Sequence, residues 1–186
     1  SLPKGVLNFI TGDGAELGQH MVQHPQTRFI NFTGSQEVGL QIIEEAAKRR
    51  PGQKWIKRVV AEMGGKNALI VDRDADLDAA AEGIVKSAFG FQGQKCSAGS
   101  RVIAHQEIYD QLLDKVASKT LDLKIGNVEE RIMYMGAVIS QEAEDKILKY
   151  IEIGKKEGRL VVGGEKLSEK GHFIAPTVFA DIQPED

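Results

Sequence analysis

Short apolar runs alternate with amphipathic stretches through the first third of the chain, and glycine turns separate them. Residues 6–11 read as a strand that stops at Gly12-Asp13-Gly14. Beyond it Leu17, Met21 and Val22 fall on one face of a helix that ends by Pro25. A second unit follows at once. Residues 28–32 alternate with period two, Thr33-Gly34-Ser35 turns the chain, and Val38, Ile42, Ile43 and Ala46 trace a helix up to Arg50-Pro51-Gly52. Two strand–turn–helix units within the first 52 residues follow the pattern of a parallel, doubly wound α/β sheet.

The pattern then changes. Residues 56–61 and 67–72 read as strands on either side of Gly64-Gly65, a pair that predicts a bend or a close backbone approach and marks a domain boundary. Residues 74–89 form the next predicted helix, opened by Asp74, Asp76 and Asp78 at its positive end. A glycine-rich loop spans 90–99. A strand is then expected over 101–105, helices over 107–121 and 141–156, and strands over 160–162 and 176–180. Neither a repeat nor a heptad run appears. The basic clusters Lys48-Arg49-Arg50 and Lys155-Lys156 sit at helix ends, where cations suit the dipole and solvent, and call for no ligand.

Composition narrows the functional classes. The 186 residues hold 24 Lys+Arg against 27 Asp+Glu, a net charge of -3, which gives no bulk attraction to nucleic acid. With 41% hydrophobic and 27% charged residues the chain is globular in composition. No stretch approaches the roughly 20 apolar residues of a membrane helix, and the first residues lack a basic-then-apolar signal layout, so a cytoplasmic location and no membrane partner are expected. One cysteine, Cys96, rules out an internal disulfide framework and fits a reducing compartment.

Several residues carry possible chemistry beside an ordinary structural role. The turn at Gly12 has the spacing GxGxxxG rather than GxGxxG, with no acidic residue placed for a ribose, so it is a weak dinucleotide signal. At the second turn, Ser35 either caps the following helix or meets a phosphate oxygen, and capping is the commoner role. His20 and His24 are four apart on a helix, yet their place before Pro25 suits solvated, dipole-facing histidines better than a metal site; His105 and His172 are isolated, and no metal is expected. Cys96 sits among small, glycine-flanked residues, unlike the apolar setting of a core cysteine. To act as a nucleophile it needs its thiolate, about a few per cent of an ordinary thiol at neutral pH, and hence help from a cation such as Lys95, a helix start or a general base. Glu62 stands between Val59-Val60-Ala61 and Met63-Gly64-Gly65 at a strand end, where a paired or functional carboxylate is expected over a solvated one; burial would fit it as a base.

Four motifs then occur in one order: Phe32-Thr33-Gly34-Ser35, Glu62-Met63-Gly64-Gly65-Lys66-Asn67, Gly93-Gln94-Lys95-Cys96 and Phe173-Ile174-Ala175-Pro176-Thr177. This order resembles the aldehyde dehydrogenase superfamily, and the string from Gln92 to Ala98 looks most like the 1-pyrroline-5-carboxylate dehydrogenases, which oxidise L-glutamate 5-semialdehyde to L-glutamate. The resemblance implies parts of two doubly wound parallel-sheet domains of the aldehyde dehydrogenase fold. Residues 1–63 would be the C-terminal part of an NAD-binding domain and 64–186 the N-terminal part of a catalytic domain. It casts Cys96 as the nucleophile that forms a thiohemiacetal and then a thioester, NAD as hydride acceptor, and Glu62 as the base that activates the hydrolytic water. The Cys96 backbone N–H becomes half of an oxyanion hole. Gly34 and Ser35 match pyrophosphate contacts, Val38 and Gly39 the helix face near the adenosine, Met63 the nicotinamide neighbour, and Ser97 the hydroxyl that holds the substrate's α-carboxylate.

Two positions depart from the pattern: Gly99, where many pyrroline-carboxylate enzymes carry a second cysteine, and Ala137, often proline in the superfamily. By the same resemblance the chain corresponds to a central slice. It lacks the upstream oxyanion asparagine, the upstream ribose-binding lysine and the downstream nicotinamide-ribose segment, so the slice alone is expected to be inactive and, with apolar faces uncovered, to self-associate. A homo-oligomer is expected. The rival reading is a non-catalytic α/β binding or assembly module, against which the presence of both Cys96 and Glu62 argues.

Overall fold

The computed structural model describes residues 2–184. The chain divides into two compact units, Ser1–Gly64 and Gly65–Asp186.

In the first unit the apolar run over 6–11 is not a strand: among the described residues it has no ladder partner, and its side chains are exposed, Phe9 at 91%. A strand is stable only when its backbone groups find partners, and the apolar pattern alone supplies none. The following helix begins as a π-helical turn, Gly14–Gly18, and continues as α1, Gln19–Gln23. Asp13 caps it, its Oδ1 accepting from the N–H groups of Ala15 at 2.8 Å and Glu16 at 3.2 Å. A carboxylate therefore already occupies this helix start, which removes the turn as an anion site.

Strand β1 (Phe29–Thr33) leads into α2 (Gln36–Ala47), and β2 (Arg58–Glu62) returns parallel to β1, in register from Phe29 with Arg58 to Thr33 with Glu62. Glu45 on α2 accepts from Gln23 at 3.0 Å and pairs with Lys48 and Arg50, so it ties α1 to α2. The basic cluster is thus partly engaged, with Arg50 half-buried rather than solvated. Lys57 is buried at the entrance to β2, donates to the Val22 carbonyl, and is held below the usual lysine range by desolvation and by the Arg50 charge.

The second unit is larger. Strand β3 (Asn67–Val71) is followed by α3 (Leu77–Phe89), a 3₁₀ turn at Gly90–Gly93, β4 (Gly99–Ala104), a 3₁₀ turn at Gln106–Ile108, and α4 (Tyr109–Leu121). β3 and β4 pair in parallel, with a register irregularity between Asn67 and Ala68. Ala81, Ile84 and Val85 of α3 meet Val71, Ile108, Leu112 and Val116 in one buried cluster, as the helical spacing of these residues predicts. Burying each larger aliphatic side chain is worth about 1.5–3 kcal/mol, which makes this cluster the main hold on the unit. The helix starts at Leu77 rather than 74 because Asp76 adopts an extended backbone and accepts from Asp78 and Ala79 N–H as its cap.

Helix α5 (Gln141–Glu157) and the strands β5 (Arg159–Val162) and β6 (Val178–Ala180) complete the unit. The β5–β6 pair is antiparallel, in contrast to the other two pairs. Glu144 on α5 is buried and satisfied by Lys166 and by His172 Nδ1, each at 2.9 Å, and by Gln141. Hydrogen bonds from Lys166 and then His172 hold its carboxyl at about 2. His172 is therefore not isolated, and His105 caps the 3₁₀ turn before α4 by accepting from Glu107 N–H at 3.2 Å.

Candidate active site

In the first unit the expected binding residues gather at the C-terminal ends of β1 and β2. Gly34 N–H donates to the Glu62 carbonyl at 3.1 Å, which extends the ladder by one residue. Ser35 caps α2: its Oγ accepts from Val38 N–H at 3.3 Å and its carbonyl from Gly39 N–H at 2.9 Å. The N–H groups of Gln36 and Glu37 precede the intrahelical ladder and stay available. Gly39 is buried because Met63 lies over it. A Cβ at Gly39 would stand 2.8 Å from the Met63 sulfur, and one at Gly34 would stand 2.4 Å from the Phe32 ring. Phe32 thus lies against both glycines and Met63 covers Gly39, so that Gly39 is buried at this corner while Gly34, Ser35 and Val38 are exposed beside it. An open end of parallel strands beside a helix start is where α/β sheets receive anionic ligands. Glu62 closes β2 and is exposed, so the burial considered for it from the sequence is not found.

In the second unit the chain leaves α3 through three consecutive left-handed residues, Phe91 (φ 56°), Gln92 (φ 58°) and Gly93 (φ 67°). Two of them are not glycine, a backbone cost of about 1–2 kcal/mol each. Gln92 Nε2 donates to the Ala137 carbonyl at 3.1 Å and Gln94 Nε2 to Gln92 Oε1 at 2.6 Å, which holds the strained segment. The Gln92 bond uses only the Ala137 carbonyl, so alanine instead of proline there leaves it intact.

Cys96 and Ser97 then occupy the two central positions of a turn closed by Ala98 N–H donating to the Lys95 carbonyl at 3.1 Å. Both are exposed. No helix starts at Cys96; β4 does, at Gly99, so the expected aid from a helix dipole is absent. Lys95 Nζ lies 4.0 Å from where a Cβ on Gly90 would stand, at the C-terminal end of α3, where a cation suits the dipole. Asn67, the first residue of β3, holds the turn: its amide nitrogen donates to the Cys96 carbonyl at 2.6 Å and to the Ala98 carbonyl at 3.3 Å. Gly99 is tightly enclosed, since a Cβ would stand 2.3 Å from Leu69 and 2.9 Å from Ser87 Oγ, which accepts the Gly99 N–H at 3.0 Å. That contact explains glycine at this position in this chain. Among the described residues no three His, Cys, Asp or Glu side chains gather to hold a metal, and His20 and His24 only face each other, ring centroids 5.7 Å apart.

The aldehyde dehydrogenase family model matches residues 1–186. The chain belongs to the aldehyde dehydrogenase family. This aldehyde dehydrogenase chain is 60% identical over 183 residues to a 1-pyrroline-5-carboxylate dehydrogenase of Anoxybacillus flavithermus, covering 98% of the chain and 36% of that protein. A Bacillus subtilis protein of the same name is 59% identical over 181 residues, covering 97% of the chain and 35% of that protein. A 1-pyrroline-5-carboxylate dehydrogenase from Thermus, solved with bound NAD, superposes with a TM-score of 0.94 at 54% identity, over 99% of the chain and 36% of that structure. The chain therefore spans about a third of the length of these relatives, and its elements form part of the α/β aldehyde dehydrogenase fold.

Proposed function

We propose that this chain supplies the nucleophile, the hydrolytic base and part of the cofactor surface of an NAD-dependent aldehyde dehydrogenase acting on L-glutamate 5-semialdehyde, the open form of 1-pyrroline-5-carboxylate. The observation that carries the reading is Cys96: a lone thiol, exposed in a turn whose backbone is tied down by Asn67 rather than packed into the core. The name shared by relatives at 54–60% identity supports the substrate. In the proposed cycle the Cys96 thiolate attacks the aldehyde carbon, and the carbonyl π pair becomes the oxyanion of a thiohemiacetal, faced by the Cys96 N–H. NAD+, when bound, would supply the hydride acceptor, and loss of a hydride from this carbon would leave a thioester on Cys96. Glu62 then removes a proton from water, the oxygen attacks the thioester, and the C–S bond breaks to release glutamate and regenerate the thiolate. Ser97 holds the α-carboxylate.

The β1–α2 corner fits a dinucleotide. The available N–H groups of Gln36 and Glu37, with Gly34 and Ser35, suit a pyrophosphate, and exposed Val38 beside buried Gly39 offers an apolar face to an adenosine. Residues of the first unit up to Met63 are the C-terminal part of the NAD-binding domain in this reading, and those from Gly64 the start of the catalytic domain. The single free thiol suits the reducing cytoplasm, and the uncovered apolar side chains of each unit suit a homo-oligomer; the isolated 186-residue chain is inactive in this reading. The test is NADH formation from glutamate semialdehyde by the full-length protein that carries these residues. Turnover that disappears in Cys96→Ser and not in a Lys155→Ala control supports the reading. Turnover that survives in Cys96→Ser, or its absence from the unsubstituted protein, refutes it.

A further inference from the structure

We propose that Asn67 is a positioning residue that latches the nucleophile turn, fixing which way the peptide between Cys96 and Ser97 faces. Lys95, Cys96, Ser97 and Ala98 are the four residues of a turn closed by the Ala98 N–H to Lys95 carbonyl bond. The central peptide of such a turn is its loosest part, because the two commonest turn types differ by turning that one peptide over. Turning it over would require a positive φ at Ser97. Ser97 is not among the residues with positive φ, so the peptide stands in the orientation open to ordinary residues.

Asn67 reinforces that choice from outside the turn. Its side-chain nitrogen donates to the Cys96 carbonyl at 2.6 Å, and the same nitrogen reaches the Ala98 carbonyl at 3.3 Å, bridging the carbonyls on either side of Ser97 in the chain. Asn67 is itself placed by the ladder. It is the first residue of β3, its carbonyl accepts from Ser100 Oγ at 3.4 Å, and Arg101 clamps the preceding Lys66 carbonyl at 2.6 Å. In a planar trans peptide the C=O and N–H point in opposite directions. With the Cys96 carbonyl turned to Asn67, the Ser97 N–H must point away from it. The Lys95 carbonyl, turned into the turn, likewise sends the Cys96 N–H outward. Asn67 therefore keeps the Ser97 N–H, and not the Cys96 carbonyl oxygen, on the face opposite to itself, along with the Cys96 N–H that the Lys95 carbonyl sends outward. A tetrahedral oxyanion formed on Cys96 is stabilised by N–H groups and repelled by a carbonyl, so losing the latch weakens acyl transfer more than it alters the thiol itself.

This inference rests on Cys96 being the nucleophile proposed above, and two reagents separate the two claims. Iodoacetamide alkylates a thiolate by displacement at a saturated carbon, with no oxyanion. p-Nitrophenyl acetate acylates the same thiolate through a tetrahedral oxyanion, with p-nitrophenolate leaving. Both rates are read on the Cys96 peptide by mass spectrometry, in the full-length protein, across pH. For Asn67→Ala the expected result is a fall in acylation of about 10- to 100-fold, below the 10²–10³ typical of deleting an oxyanion donor outright, with the pH profile of alkylation unmoved. Asn67→Asp keeps the volume but sets a carboxylate against two carbonyls, and is expected to lose acylation at least as strongly if the alanine variant fails to fold. Acylation and alkylation that fall together, or an unchanged ratio in both variants, would overturn the latch while leaving the nucleophile in place. An unsubstituted protein whose Cys96 is not acylated at all would overturn both.

Discussion

Cys96 is exposed, flanked by small residues and anchored through its backbone, a combination that leaves the sulfur free to react while its peptide is held. Replacing it by serine is expected to lower aldehyde oxidation by on the order of 10⁴-fold or more, the scale seen when a covalent nucleophile is deleted, with the melting temperature unchanged because an exposed thiol contributes little burial. Glu62 stands at a strand end, and Glu62→Gln is expected to slow thioester hydrolysis by about 10²–10⁴-fold, the usual worth of a general base. Rapid-quench kinetics should then show a burst of NADH followed by a slow steady state. A variant that loses the burst and the steady state equally would show that Glu62 acts before hydride transfer.

At the scale of elements, glycine placement is the most exacting feature. Gly39 lies under Met63, so Gly39→Ala gains up to about 1 kcal/mol of helix propensity but overpacks against the sulfur at about 1–3 kcal/mol, a net loss of roughly 1 kcal/mol. The expected readout is a several-fold rise in the KM for NAD+ and a lowered melting temperature, both relieved by adding Met63→Ala; a double variant no better than the single would refute the contact. Gly93 combines φ 67° with an Ala88 carbonyl 2.9 Å from any Cβ, and Gly93→Ala should be the more damaging of the two in a thermal melt. Periodicity located β1, α2, β3, α4 and α5 because their apolar faces are regular and their caps local. It failed at residues 6–11, where an apolar run has no strand among the described residues to pair with, and at the start of α3, where Asp76 rather than Asp74 takes the cap. Cys96, Gly34 and Gly39 were legible as residue types in telling positions. Asn67 was not, since its partner lies 29 residues away in sequence and no short motif records that distance. The Glu144 cluster escaped for the same reason, its histidine and lysine lying more than a helix away.

At the scale of the whole molecule, two properties are measurable. Glu144 is held at about 2 against an ordinary 4.5, so its carboxylate form stabilises the second unit at any pH above 4.5, and that contribution is lost as pH falls from 4.5 towards 2. Acid unfolding followed by circular dichroism should therefore steepen in that window, and Glu144→Gln should be less stable at neutral pH yet less sensitive to acid; parallel curves would contradict the cluster's role. Apolar side chains such as Phe9, Ile56, Ile70 and Ile139 are largely exposed in the 186-residue chain, more than a soluble monomer usually shows. Light scattering of this chain by itself is expected to show concentration-dependent association, and a monodisperse monomer at high concentration would contradict it. The most direct test of the whole account is the mass of the Cys96 peptide after the full-length Glu62→Gln protein is mixed with NAD+ and glutamate semialdehyde and quenched in acid. The expected result is a glutamyl thioester on Cys96, formed in step with the NADH burst. NADH appearing with Cys96 unmodified, or an acyl group on any other residue, would contradict it.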